Sequence, residues 1–115
     1  MRRTVVIVDD HDAFRVAARA LLEAEGFNVV GEAADGASAL TAVAELRPDV
    51  LLLDIQLPDF DGFAVAERLP ADGPAVVLTS SRAAVSFRRR LAATSWPFVA
   101  KSELSGETLA AAVAR

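Results

Sequence analysis

Five short runs of apolar residues are spaced along the chain, and each predicts a β-strand. The central runs are continuous rather than alternating between apolar and polar residues, which is typical of strands buried on both faces of a parallel sheet. The second run is weaker and indicates an outer strand. In chain order, the predicted strands cover Thr4–Val8, Asn28–Ala33, Val50–Leu53, Ala75–Leu78 and Phe98–Ala100.

Apolar residues between these strands recur at helical spacing and predict helices. The first helix ends before Gly26, a residue suited to a C-cap. The second follows the N-cap Asp35 and ends before Pro48, and the third is confined between Gly62 and Pro70. The apolar positions that define these three helices are Phe14, Ala17, Ala18, Leu21 and Leu22, then Leu40, Val43 and Leu46, then Phe63, Ala66 and Leu69.

Two further helices complete the pattern. The fourth is expected over Ala83–Ala93, and the fifth begins near Gly106 with Ser105 or Ser102 as its N-cap. Strand and helix therefore alternate five times, which predicts an α/β doubly wound fold with a parallel sheet. Right-handed crossovers place the helices on both faces of that sheet. The pattern fills residues 1–115 as a single domain, with no output domain expected.

Composition narrows the classes of protein. The 115 residues suffice for one domain with a real core, and the hydrophobic content of 53% argues against disorder. A net charge of −4 argues against direct nucleic-acid binding, which usually needs a basic surface. Because cysteine is absent, disulfides and thiolate chemistry are excluded. Neither a signal peptide nor an apolar stretch of membrane-spanning length is visible, so we expect a cytoplasmic protein without membrane contact.

Polar side chains follow four of the predicted strands at the point where each strand ends. Asp9 and Asp10 follow the first strand, Asp54 the third, Thr79 the fourth and Lys101 the fifth. Each residue alone is explained as a turn former, a helix cap or a solvated charge. Their conjunction indicates a single site, because the carboxyl ends of parallel strands meet at one edge, where open α/β sheets bind ligands.

The three carboxylates of this site would repel one another, by roughly 4 kcal/mol per pair at about 4 Å and an effective dielectric near 20. Protonation of one acid would relieve the repulsion, but an all-oxygen set of ligands suits Mg²⁺ better. Asp9 and Asp10 are therefore predicted to hold Mg²⁺, whose usual further ligand is a phosphate. Lys101 and Thr79 would contact phosphoryl oxygens, and Asp54 would be a nucleophile that forms an acyl phosphate.

Four motifs carry a resemblance to a known family: "VDDHD", "LLLDIQLPDFDGF", "VVLTSS" and "FVAKSEL". Over essentially its whole length the chain resembles the receiver domains of two-component response regulators, most of all the subfamily with helix-turn-helix output domains. The resemblance implies a flavodoxin-like five-stranded parallel sheet with strand order 2-1-3-4-5. It also implies Mg²⁺-dependent transfer of a phosphoryl group to Asp54 from a histidine kinase or a phosphotransfer protein.

The resemblance further implies which residues bind the metal and contact the phosphoryl group. Asp10 and Asp54 would bind Mg²⁺ through their side chains, Asp9 mainly through water, and Gln56 through its backbone carbonyl. The side chains of Thr79 and Lys101 would contact the phosphoryl group.

The same resemblance implies how the signal leaves the site. Pro58 and Gly62 would shape the loop after the phosphoacceptor. Movement of the Thr79 hydroxyl would be coupled to a change of rotamer at the aromatic switch position, Phe98, although Phe98 is equally well explained as plain core. The face made by helix 4, strand 5 and helix 5 would then bind a downstream protein or a missing output domain, with a homodimer through helices 4 and 5 as an open alternative.

Three stretches depart from the family pattern. Ser102 follows Lys101 where many members have a proline after a cis peptide bond, and a cis bond without proline costs about 3 kcal/mol. The residues Thr94–Pro97 replace the usual small, glycine-rich approach to the fifth strand. The stretch from Asp54 to Thr79 is short, so a trimmed third helix is expected.

Several charged or aromatic residues have two interpretations. Trp96 either covers a loop or anchors a partner, since Trp is enriched at binding hot spots. The run Arg88–Arg90 is either a solvated helix face or part of a dimer contact with Glu103 or Glu107. The remaining polar residues near the site are expected to serve as caps, loop residues or turn formers rather than as ligands: His11, Asp59 and Asp61.

Three other functions compete with a phosphoacceptor. A receiver-like docking module that works without phosphorylation would not need the complete set of acids, hydroxyl and lysine. A phosphatase of the haloacid dehalogenase type would have a second acid two residues after its nucleophile, where this chain has Gln56. Nucleotide binding would need a glycine-rich loop after the first strand, which is absent. We therefore expect a signalling domain rather than a turnover enzyme.

Overall fold

The computed structural model describes residues 2–114, which form one parallel sheet with helices packed on its two faces. Strands and helices alternate as predicted. One short 3₁₀ turn precedes the fourth helix, and a second follows the fifth strand. The elements are β1 (Thr4–Val8), α1 (Asp12–Ala24), β2 (Asn28–Ala33), α2 (Gly36–Leu46), β3 (Val50–Asp54), α3 (Gly62–Glu67), β4 (Ala75–Ser80), a 3₁₀ turn (Ala84–Phe87), α4 (Arg88–Ala92), β5 (Phe98–Ala100), a second 3₁₀ turn (Lys101–Glu103) and α5 (Gly106–Val113).

The strands are arranged in the order β2-β1-β3-β4-β5, and all neighbouring pairs are parallel. This confirms the flavodoxin-like order. The chain leaves β1 in one direction to form β2 and returns on the other side to form β3, so the direction of winding reverses between β1 and β3. Ligand sites of open α/β sheets lie outside the carboxyl ends of the strands at this point.

The core is divided by the sheet into two apolar clusters. Alternate residues of one strand point to opposite faces, so β1 contributes Val6 and Val8 to one cluster and Val5 and Ile7 to the other. The first cluster is covered by α2 and α3 and the second by α1 and α5. Burial on both faces explains why the central strands are continuous apolar runs.

Helix ends are fixed by the residues that were predicted as caps. Asp35 accepts a hydrogen bond from the Ser38 N–H at 2.7 Å, and α1 is followed by Gly26 at a φ of +101°, a conformation that favours glycine. Of the two serines proposed for α5, Ser105 is the cap, and its side chain accepts from the Thr108 N–H at 3.0 Å. The third helix has 6 residues, which agrees with the trimmed helix expected.

The prediction of one continuous fourth helix over Ala83–Ala93 was wrong. The structure has a 3₁₀ turn and then the 5-residue α4, with no buried residue in either. Only Phe87 and Leu91 pack partly against the core. Three consecutive arginines open α4, at the helix end where the macrodipole disfavours positive charge, and no side chain caps that end. A short apolar stripe and an unfavourable N-terminus therefore leave this segment without a regular helix.

Two further sequence expectations concern the backbone and the membrane. No peptide bond among the described residues is cis, including the bond between Lys101 and Ser102. Within residues 2–114, no helix combines the length and apolar character that crossing a bilayer requires.

Candidate functional site

Buried polar residues collect at the carboxyl edge of the sheet. Within the described part of the chain they are Asp9, Asp54, Thr79 and Ser80, and all four lie at strand ends. The sheet register explains this, because it places Asp54 opposite Thr79, and Thr79 opposite Val99. Burying polar groups without partners is costly, so their concentration at one edge indicates a site rather than a structural accident.

The ammonium group of Lys101 lies between two of these acids. Its Nζ atom is 2.5 Å from Asp9 Oδ2 and 3.3 Å from Asp54 Oδ2, and the side chain is only 14% exposed. The ring of Phe14 covers the same ammonium, with its centroid 4.4 Å from Nζ. A largely desolvated positive charge is thus held where the sequence predicted a contact for phosphoryl oxygens.

The carboxylate of Asp9 is held by the loop that follows it. Asp9 Oδ1 accepts from the His11 N–H at 2.8 Å and lies 3.0 Å from His11 Nδ1. The other oxygen, Oδ2, is buried and accepts no regular hydrogen bond from the described residues, with Lys101 as its close ionic neighbour. His11 is the residue before α1, but its side chain makes no capping bond and instead lies beside the acids.

Burial and charge give the two buried acids different proton affinities. Burial, opposed by the Gln56 N–H and Lys101 but assisted by the charge of Asp9, raises the pKa of Asp54 to about 6. Burial also acts on Asp9, but the adjacent Lys101 ammonium and the hydrogen bond from the His11 N–H outweigh it and lower the pKa of Asp9. The same acids outweigh the effect of burial on Lys101 and raise its pKa. Asp9 and Lys101 therefore form an ion pair, and Asp54 is the weaker acid beside it.

The acidic residues fit a hard divalent cation. Single donor atoms of Asp9, Asp10, His11 and Asp54 all lie within 4.8 Å of one another. Three of the four are carboxylates, the ligand type that Mg²⁺ prefers, and Asp9 Oδ2 is a buried oxygen that lacks a regular hydrogen bond. The three acids that the sequence predicted as metal ligands, Asp9, Asp10 and Asp54, are therefore brought together, with His11 beside them.

The hydroxyl of Thr79 is not directed at this cluster. Its Oγ1 donates to the backbone carbonyl of Val99 on β5 at 2.6 Å. Phe98, the neighbour of Val99, is half-buried and its ring centroid is 6.3 Å from that of Phe87. The structure thus places the predicted phosphoryl-contacting hydroxyl and the predicted switch aromatic on the neighbouring strands β4 and β5. The hydroxyl is hydrogen-bonded to β5 rather than directed at the acids.

The loop after Asp54 packs tightly on the backbone of that residue. A Cβ on Gly62 would lie 2.5 Å from the Asp54 carbonyl oxygen, so only glycine permits this approach. The Gly62 N–H donates to the Ile55 carbonyl at 2.8 Å, and the Gln56 N–H donates to Asp54 Oδ1 at 3.1 Å. Pro58 lies exposed in the same loop. Trp96 lies outside the site, half-buried against the apolar cluster under α3.

Two acids of this loop do more than form a local turn. Asp59 accepts from the Gly36 and Ala37 N–H groups at 2.8 and 2.9 Å and so satisfies the start of α2, and Asp61 caps α3. These contacts agree with the expected role of both residues as caps or turn formers and add, for Asp59, a bond to the start of α2. Sequence gives no signal for the Asp59 contact, because its partners lie 22 and 23 residues away.

Two arginines make contacts with functional loops that the sequence did not predict. Arg90 pairs with Asp61 at 2.8 Å and lies over the Phe63 ring at 4.1 Å, while its side chain stays 51% exposed, as expected for a solvated helix face. Arg15 Nη1 donates to the Asp9 carbonyl at 2.5 Å. Its place on the partly buried side of α1 follows from helical spacing, but its acceptor does not.

Comparison with known proteins agrees with this geometry. A family model described as response regulator receiver domain matches residues 5–114. A transcriptional regulator of Pseudomonas aeruginosa is 44% identical over 113 residues, covering 96% of this chain and 55% of that protein. BvgA of Bordetella pertussis, named as a transcription regulator of virulence factors, is 38% identical over 117 residues, covering 99% of this chain and 56% of that protein.

A solved structure extends the comparison to the fold. The signal receiver domain of the response regulator NarL from Mycobacterium tuberculosis is 34% identical, with a TM-score of 0.77 and coverage of 99% of this chain and 98% of that one. The chain spans about half the length of the curated relatives it matches. The predicted resemblance to receivers of the helix-turn-helix output subfamily is confirmed. The chain belongs to the response regulator receiver domains and is a receiver of two-component phosphorelay signalling.

Proposed function

We propose that Asp54 is the phosphoacceptor and that Asp9, Asp10 and Asp54, with the Gln56 backbone carbonyl, hold Mg²⁺ during the transfer. The observation that carries the proposal is the cluster itself: a buried carboxylate of raised pKa, flanked by a second acid and a desolvated lysine. With a pKa of about 6, Asp54 is largely ionised at neutral pH and available as a nucleophile.

The transfer needs positioning and charge balance more than covalent chemistry. An oxygen of Asp54 forms a bond to phosphorus while the bond from phosphorus to the imidazole nitrogen of the donor histidine breaks, and the departing imidazole takes a proton from solvent. Lys101, already within 3.3 Å of Asp54, offers its charge to the incoming phosphoryl oxygens. Bound Mg²⁺ supplies further positive charge against the acids and the phosphoryl group.

Thr79 would link the chemistry to the surface. To donate to a phosphoryl oxygen, its hydroxyl must leave the Val99 carbonyl, a buried hydrogen bond of 2.6 Å. That change frees a backbone acceptor on β5 beside Phe98, which packs against Phe87 in front of α4. The proposed consequence is a new rotamer of Phe98 and an altered face of α4, β5 and α5 for a partner.

The partners follow from the family and the charge. The donor would be a sensor histidine kinase or a phosphotransfer protein in the cytoplasm. Output would pass to a downstream protein or an output domain, as the names of the relatives as transcription regulators suggest, while the net charge of −4 speaks against direct nucleic-acid contact by these residues. Apart from its own phosphorylation and slow dephosphorylation, the domain would turn over no substrate.

The test is an intact mass measured after incubation with acetyl phosphate and Mg²⁺. We expect one labile phosphoryl group on the wild-type protein. It should be lost with EDTA and in Asp54→Asn, but kept in the control Asp72→Asn, which removes an exposed acid. A folded protein that binds Mg²⁺ yet gains no phosphoryl group would contradict the proposal and favour a docking module that works without phosphorylation.

A further inference from the structure

We infer that Arg15 is a positioning residue for the acidic loop Asp9–Asp12, and that it sets the place of Asp10 for binding Mg²⁺. The inference deepens the proposed function and rests on it in one respect, namely that these acids bind Mg²⁺.

The guanidinium of Arg15 joins three acceptors, two at the ends of the acidic loop Asp9–Asp12 and one on β2. Nη1 donates to the backbone carbonyl of Asp9 at 2.5 Å, Nε donates to Glu32 at 3.0 Å, and Nη2 pairs with Asp12. The Arg15 side chain is only 15% exposed, and its bond to the Asp9 carbonyl is part-buried, whereas its partner Asp12 lies at the surface. A planar, permanently charged group with several fixed donors is well suited to hold such a set in one geometry.

These contacts matter because they fix the peptide that precedes Asp10. The Asp9 N–H donates to the Ala33 carbonyl at 3.0 Å, its carbonyl accepts from Arg15, and its Oδ1 accepts from the His11 N–H at 2.8 Å. Among the described hydrogen bonds and ion pairs, the Asp10 side chain has one partner, His11 Nδ1 at 3.1 Å. Its orientation therefore depends on the backbone around it, which Arg15 holds at the Asp9 carbonyl.

Positioning and simple electrostatics predict opposite effects when Arg15 is removed. The positive charge of Arg15 near the acids disfavours a second cation, so its loss by charge alone would tighten Mg²⁺ binding. If Arg15 holds the loop, its loss lets Asp10 sample other orientations, and Mg²⁺ binding weakens. Groups that orient metal ligands typically contribute about 10- to 100-fold to metal affinity.

Arg19, one turn further along α1, supplies a matched control. It donates to the same Glu32 at 2.7 Å and to a backbone carbonyl of β2, that of Val29, at 3.1 Å. It therefore shares with Arg15 the task of tying α1 to β2 and carries the same charge. No contact joins Arg19 to the acidic loop among the described hydrogen bonds and ion pairs.

The experiment is an NMR titration of ¹⁵N-labelled protein with Mg²⁺, for wild type, Arg15→Ala, Arg19→Ala and Arg15→Lys. We expect Arg15→Ala to raise the Kd for Mg²⁺ about tenfold and to shift the Asp10 and His11 amides before any Mg²⁺ is added. Arg19→Ala should leave both unchanged or tighten binding slightly. Arg15→Lys keeps the charge but cannot reach three acceptors at once, so it should weaken binding by a smaller factor, and it decides the matter if Arg15→Ala does not fold.

An equal or lower Kd in Arg15→Ala and Arg15→Lys would overturn the inference, as would equal weakening by Arg15→Ala and Arg19→Ala. The proposed function is tested by a separate measurement. A wild-type protein that binds Mg²⁺ but takes no phosphoryl group from acetyl phosphate would end the proposed function while leaving the role of Arg15 intact.

Discussion

Replacing Asp54 with asparagine should stabilise the Mg²⁺-free protein at neutral pH, although it removes the proposed phosphoacceptor. Asp54 is 2% exposed and its pKa is raised from 3.8 to about 6. A difference of about 2 pKa units means that the folded state holds the ionised form at a cost of about 3 kcal/mol. This cost already includes the attraction of Lys101 at 3.3 Å, which lowers the pKa of Asp54 and which the variant also loses. The expected gain in the free energy of unfolding is therefore about 3 kcal/mol.

The pH dependence of this gain has a definite sign. Below about pH 4 the carboxyl is protonated in both the folded and the unfolded wild-type protein, so ionisation costs nothing there. Between about pH 4 and pH 6 the unfolded chain releases its proton first, and the stability of the wild type falls as the pH rises. Asparagine has no carboxyl group to titrate, so the variant lacks this pH-dependent loss of stability. The stability difference should therefore grow from near zero at about pH 4 to its full size above about pH 6.

The assay is urea unfolding followed by circular dichroism in EDTA, across this pH range, and then again with Mg²⁺. Mg²⁺ should stabilise the wild type in proportion to its binding and should stabilise Asp54→Asn less, because one ligand is missing. Asp72→Asn, an exposed change, serves as the control. The reasoning is refuted if Asp54→Asn is less stable than the wild type in EDTA at neutral pH, or if the difference does not vary with pH.

Three further predictions concern the elements around the site. Arg90→Ala should destabilise the protein by about 1 kcal/mol and speed amide hydrogen exchange in residues 84–92, because it removes the ion pair to the loop before α3. The control variant Arg89→Ala, at the neighbouring exposed arginine, should do neither. Equal exchange in the two variants would contradict this prediction. Ser105→Ala should lower the stability to urea by about 1 kcal/mol and Ser102→Ala should not, and the reverse order would show that the cap is misassigned. Thr79→Val should cost about 1 to 2 kcal/mol, because the Val99 carbonyl loses a buried donor, and an unchanged urea midpoint would argue against that hydrogen bond.

Much of the fold could be predicted because each signal was local or strongly periodic. The strands buried on both faces are unbroken apolar runs, and Asp35 and Gly26 mark helix ends by chemistry that acts over a few residues. The fourth helix was mispredicted because the prediction used only its local spacing, which favours a helix. The outcome depended on how little apolar surface the segment buries, and no local pattern reports that quantity.

The site could be predicted in its acids and its lysine but not in the contacts that arrange them. Parallel strands bring Asp9, Asp54 and Lys101 to one edge, so topology alone predicts their proximity. The contacts of Arg15 with the Asp9 carbonyl and of Asp59 with the start of α2 depend on how loops pack across the fold. The direction of the Thr79 hydroxyl, toward Val99 rather than toward Asp54, is likewise a property of side-chain packing that sequence does not carry.

The central claim, that Asp54 accepts the phosphoryl group, is tested most directly by locating the modified residue. The protein is incubated with acetyl phosphate and Mg²⁺, and the acyl phosphate is reduced with borohydride, which converts a phosphorylated aspartate to homoserine. Peptide sequencing by mass spectrometry then identifies the position. We predict homoserine at position 54 alone, dependent on Mg²⁺. Homoserine at Asp9 or Asp10, or at no position in protein that still binds Mg²⁺, would contradict the account.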